Sequence, residues 1–105
     1  MIVKKDEGKA RQFKGINFEV LATGKKLMLT KMKYNKGDFV PFHKHPNEQG
    51  GYVISGKFRL KFNKFDEILE EGDTYSIPAD CLHSIDALEN GIVIDSFSPI
   101  RKDYL

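Results

Sequence analysis

Gly37-Asp-Phe-Val-Pro-Phe-His43-Lys-His45-Pro-Asn-Glu48-Gln49 is the stretch on which the reading turns. Six residues separate Gln49 from Gly56, and 15 more separate Gly56 from a second stretch, Gly72-Asp-Thr-Tyr-Ser-Ile-Pro78-Ala-Asp80-Cys-Leu-His83. Residues two apart on a strand point to one face, so His43 and His45 project together. Glu48 and Gln49 come within reach if the chain turns at Pro46-Asn47. His83 follows a proline turn on a separate segment that can lie alongside. Three imidazoles and one oxygen donor make a mixed site for a divalent transition metal. Taken alone, a His-x-His pair is also compatible with two ordinary surface or core histidines.

Outward from these stretches the chain alternates at period two. Phe58, Leu60 and Phe62 alternate with Lys57, Arg59 and Lys61; Ile16, Phe18 and Val20 alternate with Asn17 and Glu19; Met28, Thr30, Met32 and Tyr34 alternate with Leu29, Lys31 and Lys33. Tyr52–Ser55 and Ile92–Asp95 are short β-rich runs. Turn residues at Thr23-Gly24, Asn35–Asp38, Ser55-Gly56, Asn63-Lys64, Glu71–Asp73 and Asn90-Gly91 divide them. Many short strands at this spacing predict an all-β sandwich or barrel. Only Phe65–Glu71 competes as helix, and it is too short. Residues 1–11 are polar and are expected to form a loose N-terminal arm.

The chain has 105 residues, 40% of them hydrophobic and 30% charged, so one domain over 1–105 is expected. Lys+Arg 17 against Asp+Glu 15 gives +2, with no basic run, which argues against a nucleic-acid partner. No apolar run approaches the ~20 residues of a membrane span, and the N-terminus lacks a secretory pattern. With Cys81 the only cysteine, no internal disulfide forms, and a reducing cytoplasm is the expected setting.

The two stretches resemble the paired motifs of the cupin superfamily: Gly, five residues, His-x-His, then an acid, six residues and Gly; and Gly, five residues, Pro-x-Gly, two residues, His. The resemblance spans Gly37 to Ala87 and implies a single cupin jelly-roll barrel, a bound metal and a homodimer. Three positions depart. Gln49 stands where Glu is usual, Asp80 replaces a glycine, and Ala87 replaces an asparagine. A neutral Gln ligand leaves a divalent site at +2, which favours anionic substrates. Glu48 turning inward is the alternative ligand.

The tail runs Asp95-Ser-Phe97-Ser-Pro99-Ile-Arg101-Lys-Asp103-Tyr104-Leu105. A strand through Ile94 puts Asp95 and Phe97 on one face. One reading is an ion pair between Asp95 and Arg101 at the rim with Phe97 in the core. The other is a site for a small anionic sugar. Together with His43–Gly56, this ending resembles the small cupins of pectin degradation, which convert 4,5-unsaturated monouronates to linear keto forms. That resemblance implies metal ligands at His43, His45, Gln49 and His83, a catalytic Asp95, and substrate contacts from Phe97 and Arg101. The metal would be Mn, Fe, Co, Ni or Zn. A cupin dioxygenase and a non-catalytic sugar-binding cupin are the alternatives. Tyr52 and Tyr75 are further candidates for proton donors in the cavity, and Cys81 for a reactive thiol. Gly50-Gly51 is expected to let the backbone bend beside the metal loop.

Overall fold

A computed structural model describes residues 1–105. Ten antiparallel strands form two sheets: β1 (Lys9–Phe13), β2 (Ile16–Thr23), β3 (Met28–Tyr34), β4 (Phe39–His43), β5 (Glu48–Ser55), β6 (Lys57–Phe62), β7 (Phe65–Glu70), β8 (Thr74–Ile77), β9 (His83–Ala87) and β10 (Gly91–Ser98). One sheet has the order β1-β2-β3-β10-β5-β8 and the other β4-β9-β6-β7. This is the two-sheet jelly roll expected of the sequence. A short 3-10 turn, Lys102–Tyr104, closes the chain. No helix is long and apolar enough to cross a membrane.

The alternating residues behave as their period requires. Ile16, Phe18 and Val20 are buried, as are Met28, Thr30, Met32 and Tyr34, and Val93, Asp95 and Phe97 of β10. Fifteen buried apolar residues from the two sheets, with Tyr104 of the 3-10 turn, fill the space between them. Phe65–Glu70 is strand, paired along β6 from Lys57↔Glu70 to Phe62↔Phe65. Asp80 takes a positive φ of 58°, so the turn keeps the left-handed geometry of the usual glycine. Aspartate tolerates that region better than most residues.

The expected N-terminal arm over residues 1–11 needs correction. Lys9, Ala10 and Arg11 belong to β1, which pairs with β2 from Lys9↔Val20 to Phe13↔Ile16. The turn between them is Lys14-Gly15, both at positive φ (50° and 82°). That two-residue turn matches the twist of a hairpin. β1 is an edge strand with one apolar inner residue, Phe13, so its period carries little hydrophobic signal. The hairpin tip stands at one mouth of the barrel, the mouth that holds the histidines.

Candidate metal centre

His43 ends β4 and pairs in register with His83, which begins β9. Their rings are 4.2 Å apart. His45 lies beyond the end of β4, in the bend that leads to β5. The His-x-His pair is therefore not carried by one continuous strand. A loop brings the second ring inward, 4.9 Å from His83 and 5.8 Å from His43. One ring nitrogen from each of the three lies within 4.8 Å of the other two, close enough for all three to hold one metal ion. β5 then presents Gln49 inward and buried, with Glu48 exposed on the other face.

Backbone carbonyls fix how each ring is used. Nδ1 of His43 sits 2.9 Å from the Pro41 oxygen, Nδ1 of His45 2.9 Å from that of Asn47, and Nδ1 of His83 2.8 Å from that of Cys81. A carbonyl only accepts, so each Nδ1 carries the proton and each neutral ring turns an Nε2 lone pair to the centre. Burial keeps the rings neutral. It lowers His83 to about 4, helped by the charges of His43, His45 and Arg101 and opposed by the Cys81 carbonyl. Burial also lowers His43 and His45, again with help from Arg101.

Gln49 supplies the test of whether a cation fits. Its Nε2 donates to Asp95 Oδ1 at 3.1 Å, which turns Oε1 toward His45 Nε2, also at 3.1 Å. Two lone pairs then face each other with no proton between them. A cation bound by both resolves that frustration, so the donor set fits a metal. The same geometry accounts for Gln in place of Glu. A Glu at position 49 would turn a second carboxylate toward Asp95, where like charges repel.

Asp95 is 3% exposed at the centre of the six-stranded sheet. Besides Gln49 it accepts from the Tyr75 hydroxyl at 2.5 Å. Burial raises its pKa to about 6, against the pull of those two donors and of Arg101. Phe97, two residues on, packs edge-on against His45 at 5.7 Å and against Tyr104 at 5.8 Å.

The rim ion pair between Asp95 and Arg101 does not form. Arg101 pairs instead with Asp103, through Nη2 at 2.7 Å and Nε at 3.3 Å. Its guanidinium carbon lies 4.1 Å from the centre of the Tyr104 ring, 5.4 Å from that of Phe97 and 5.9 Å from that of Phe13. Nη1 has no partner, and Arg101 lines the same cavity as His43, His83, Gln49 and Asp95. The free interior of that cavity is about 30 Å³, room for an ion and little more.

Several residues of the site were not singled out in the sequence. Phe13 packs on His43 at 5.9 Å, with the Lys14 ammonium 5.5 Å from its ring centre. Asn47 is buried and donates to the carbonyls of Pro99 (2.6 Å) and Ile100 (3.2 Å), tying the histidine loop to the tail. An asparagine after proline signals a turn, but nothing local reveals a partner fifty residues away. Among the lesser candidates, Tyr52 is exposed on the outer face of β5 while Tyr75 lines the cavity. Cys81 contacts Asn63 Oδ1 at 3.3 Å. Arg59, on the exposed face of β6, forms a two-pronged pair with Asp66.

Residues 30–94 match the family model described as the cupin domain. The chain belongs to the cupin family. Over 93 residues this cupin is 33% identical to the pectin degradation protein KdgF of Dickeya dadantii (strain 3937), covering 87% of this chain and 84% of that protein. The solved structure of KdgF from Halomonas sp. matches it with a TM-score of 0.89 at 31% identity, over 98% of each chain. An RmlC-like cupin from Shewanella frigidimarina NCIMB 400 matches with a TM-score of 0.92 at 27% identity, over 99% of this chain and 95% of that one.

Proposed function

We propose that this cupin binds one divalent transition metal and converts 4,5-unsaturated monouronates, the products of pectin or alginate breakdown, to linear keto forms. The observation that carries the reading is the Gln49 amide, which faces a histidine lone pair with its oxygen and holds a buried carboxylate with its nitrogen. Metal site and proton carrier thus share one side chain. The similarity to pectin degradation proteins supplies the substrate class.

The ligands in this reading are Nε2 of His43, His45 and His83 and Oε1 of Gln49. The set suits Mn, Fe, Co, Ni or Zn. When bound, the ion supplies a Lewis acid that polarises a substrate oxygen. Arg101 receives the substrate carboxylate on the edge that Asp103 leaves free. Phe97 forms the floor beneath the sugar. With so little free interior, only the reacting end of the sugar enters, and its body lies in the mouth near Phe13.

The chemistry is an isomerisation. The C1 hydroxyl proton passes to the ring oxygen as the bond from that oxygen to C1 breaks, leaving an aldehyde at C1 and an enol at C5. The enol proton then moves to C4 and leaves a ketone at C5. Asp95 carries that proton from oxygen to carbon; its raised pKa suits a group that both accepts and releases a proton near neutrality. The homodimer in this reading covers exposed apolar residues such as Tyr52 and Ile54 on the outer face of the six-stranded sheet.

Elemental analysis after metal reconstitution should find about one ion per wild-type chain and none in His45→Ala. Loss of the ultraviolet absorbance of an unsaturated monouronate should be faster with loaded wild type than without protein. Equal metal in both proteins, or a rate no greater than the spontaneous one, overturns the reading. Oxygen uptake would then test the dioxygenase alternative.

A further inference from the structure

We propose that Tyr75 is a positioning residue for Asp95, reaching it through a gap that Gly51 leaves in the strand between them. The proposal rests on the reading of Asp95 as proton carrier. β10 pairs Asp95 with Gly51, and β8 pairs Gly51 with Tyr75, so the three residues form one row across the inner face of the sheet. Neighbouring strands are about 4.8 Å apart, which puts the backbones of Tyr75 and Asp95 roughly 10 Å from each other. A side chain spans that distance only by lying across the intervening strand. A Cβ at position 51 would lie 2.1 Å from Cζ of Tyr75, a clash that the ring could escape only by leaving its path.

Gly51 has no positive φ, and β5 has no irregularity there. The backbone does not demand a glycine; the ring does. The sequence reading, which gave Gly50-Gly51 a bend, is corrected on this point. Glycine weakens a strand interior, so the site keeps this one at a cost in local stability.

The arrangement divides the two oxygens of Asp95. Oδ1 accepts from both the Tyr75 hydroxyl and Gln49 Nε2. Oδ2 accepts from neither. Thr30 Oγ1 is the only fully buried side-chain polar atom without a partner, so Oδ2 is open to the cavity. The Tyr75 hydroxyl is the donor in its bond to the carboxylate. One oxygen is anchored twice, and the other is presented to the enol.

Tyr75→Phe keeps the ring and removes the donor. In the uronate assay its kcat should fall about 10- to 100-fold, the worth of one hydrogen bond to a charged group, while KM and metal content stay at wild-type values. Gly51→Ala, which blocks the path, should show the same split. In an Asp95→Asn background Tyr75→Phe should cost nothing further, because the tyrosine acts through the carboxylate. Wild-type kcat in Tyr75→Phe, or its full loss repeated in the Asn background, overturns the proposal. Crystal structures of wild type and Tyr75→Phe give a readout independent of substrate. The Asp95 carboxylate should turn away from Gln49 when the hydroxyl is gone, and an unmoved carboxylate also overturns the proposal. If wild type fails to accelerate uronate conversion, the uronate reading falls and the crystallographic comparison alone decides the role of Tyr75.

Discussion

Asp95 and the three histidines pull the metal-free protein in opposite directions as pH changes. The folded-state pKa of Asp95, about 6, lies above its ordinary 3.8. Between those values the folded state holds a proton that the unfolded state has lost, so stability falls as pH rises through that window. A shift of about two units corresponds to about 3 kcal/mol. His83, lowered to about 4, acts in reverse: its contribution is present at neutral pH and is lost as pH falls from about 6.5 toward 4. Asp95→Asn removes only the first effect. Denaturant titrations of the metal-free proteins should show the variant gaining up to about 3 kcal/mol on wild type between pH 4 and 6. Parallel pH profiles would show that the carboxyl titrates in its ordinary range. At this scale the sequence was informative about residue type and offset, and three histidines and a glutamine at fixed spacings were enough to name candidates. It was silent on which partner holds each group. Asp103 rather than Asp95 holds Arg101 because a carboxylate two residues away on the 3-10 turn reaches the guanidinium at once.

The elements that matter most are the connections. Strands whose inner faces are apolar, such as β2, β3 and β6, were legible from alternation alone, because burial selects every second residue. β1 was not, since an edge strand with a single aromatic on its inner face looks polar. The bend after β4 was only half legible: Pro46-Asn47 marks a turn, while the side-chain bonds from Asn47 to the Pro99 and Ile100 carbonyls are long-range. Those bonds join the loop that carries His45 to the segment that carries Arg101. Asn47→Ala leaves two carbonyl acceptors without their donor, at about 1–3 kcal/mol. The expected result is a lower denaturation midpoint together with a raised KM, as Arg101 loses its fixed approach to the mouth. A lower midpoint with unchanged KM would confine the asparagine to stability.

Over the whole molecule, the centre is assembled from β4, β5, β8, β9, β10 and the tail, and no pair of adjacent elements contains it. Such a site exists only in the folded chain, so an ion bound there stabilises the fold by mass action. At a free metal concentration of about 100 times its Kd, the gain is about 2.7 kcal/mol. Chelation should therefore lower the melting temperature of wild type by about 10–20 °C, and readdition of metal should restore it. His45→Ala should melt at one temperature with or without chelator. A chelator effect of equal size in both proteins would place the stabilising ion elsewhere.

β10 lies between β3 and β5, and it alone joins the two halves of the six-stranded sheet. In chain order it is also the last strand. As the polypeptide leaves the ribosome, β1 to β3 and β5 with β8 emerge as two unjoined fragments, each with a row of backbone amides and carbonyls waiting for a neighbour. Residues 91–98 arrive last and satisfy both rows together, bringing Asp95 and Phe97 with them. A nascent chain shorter than this carries all three histidines, and the strands of its four-stranded sheet are present, but the six-stranded sheet that faces them is still in two pieces. During synthesis the protein is thus most exposed to wrong strand partners, including those of another nascent copy, just before the six-stranded sheet closes over the histidine side of the barrel.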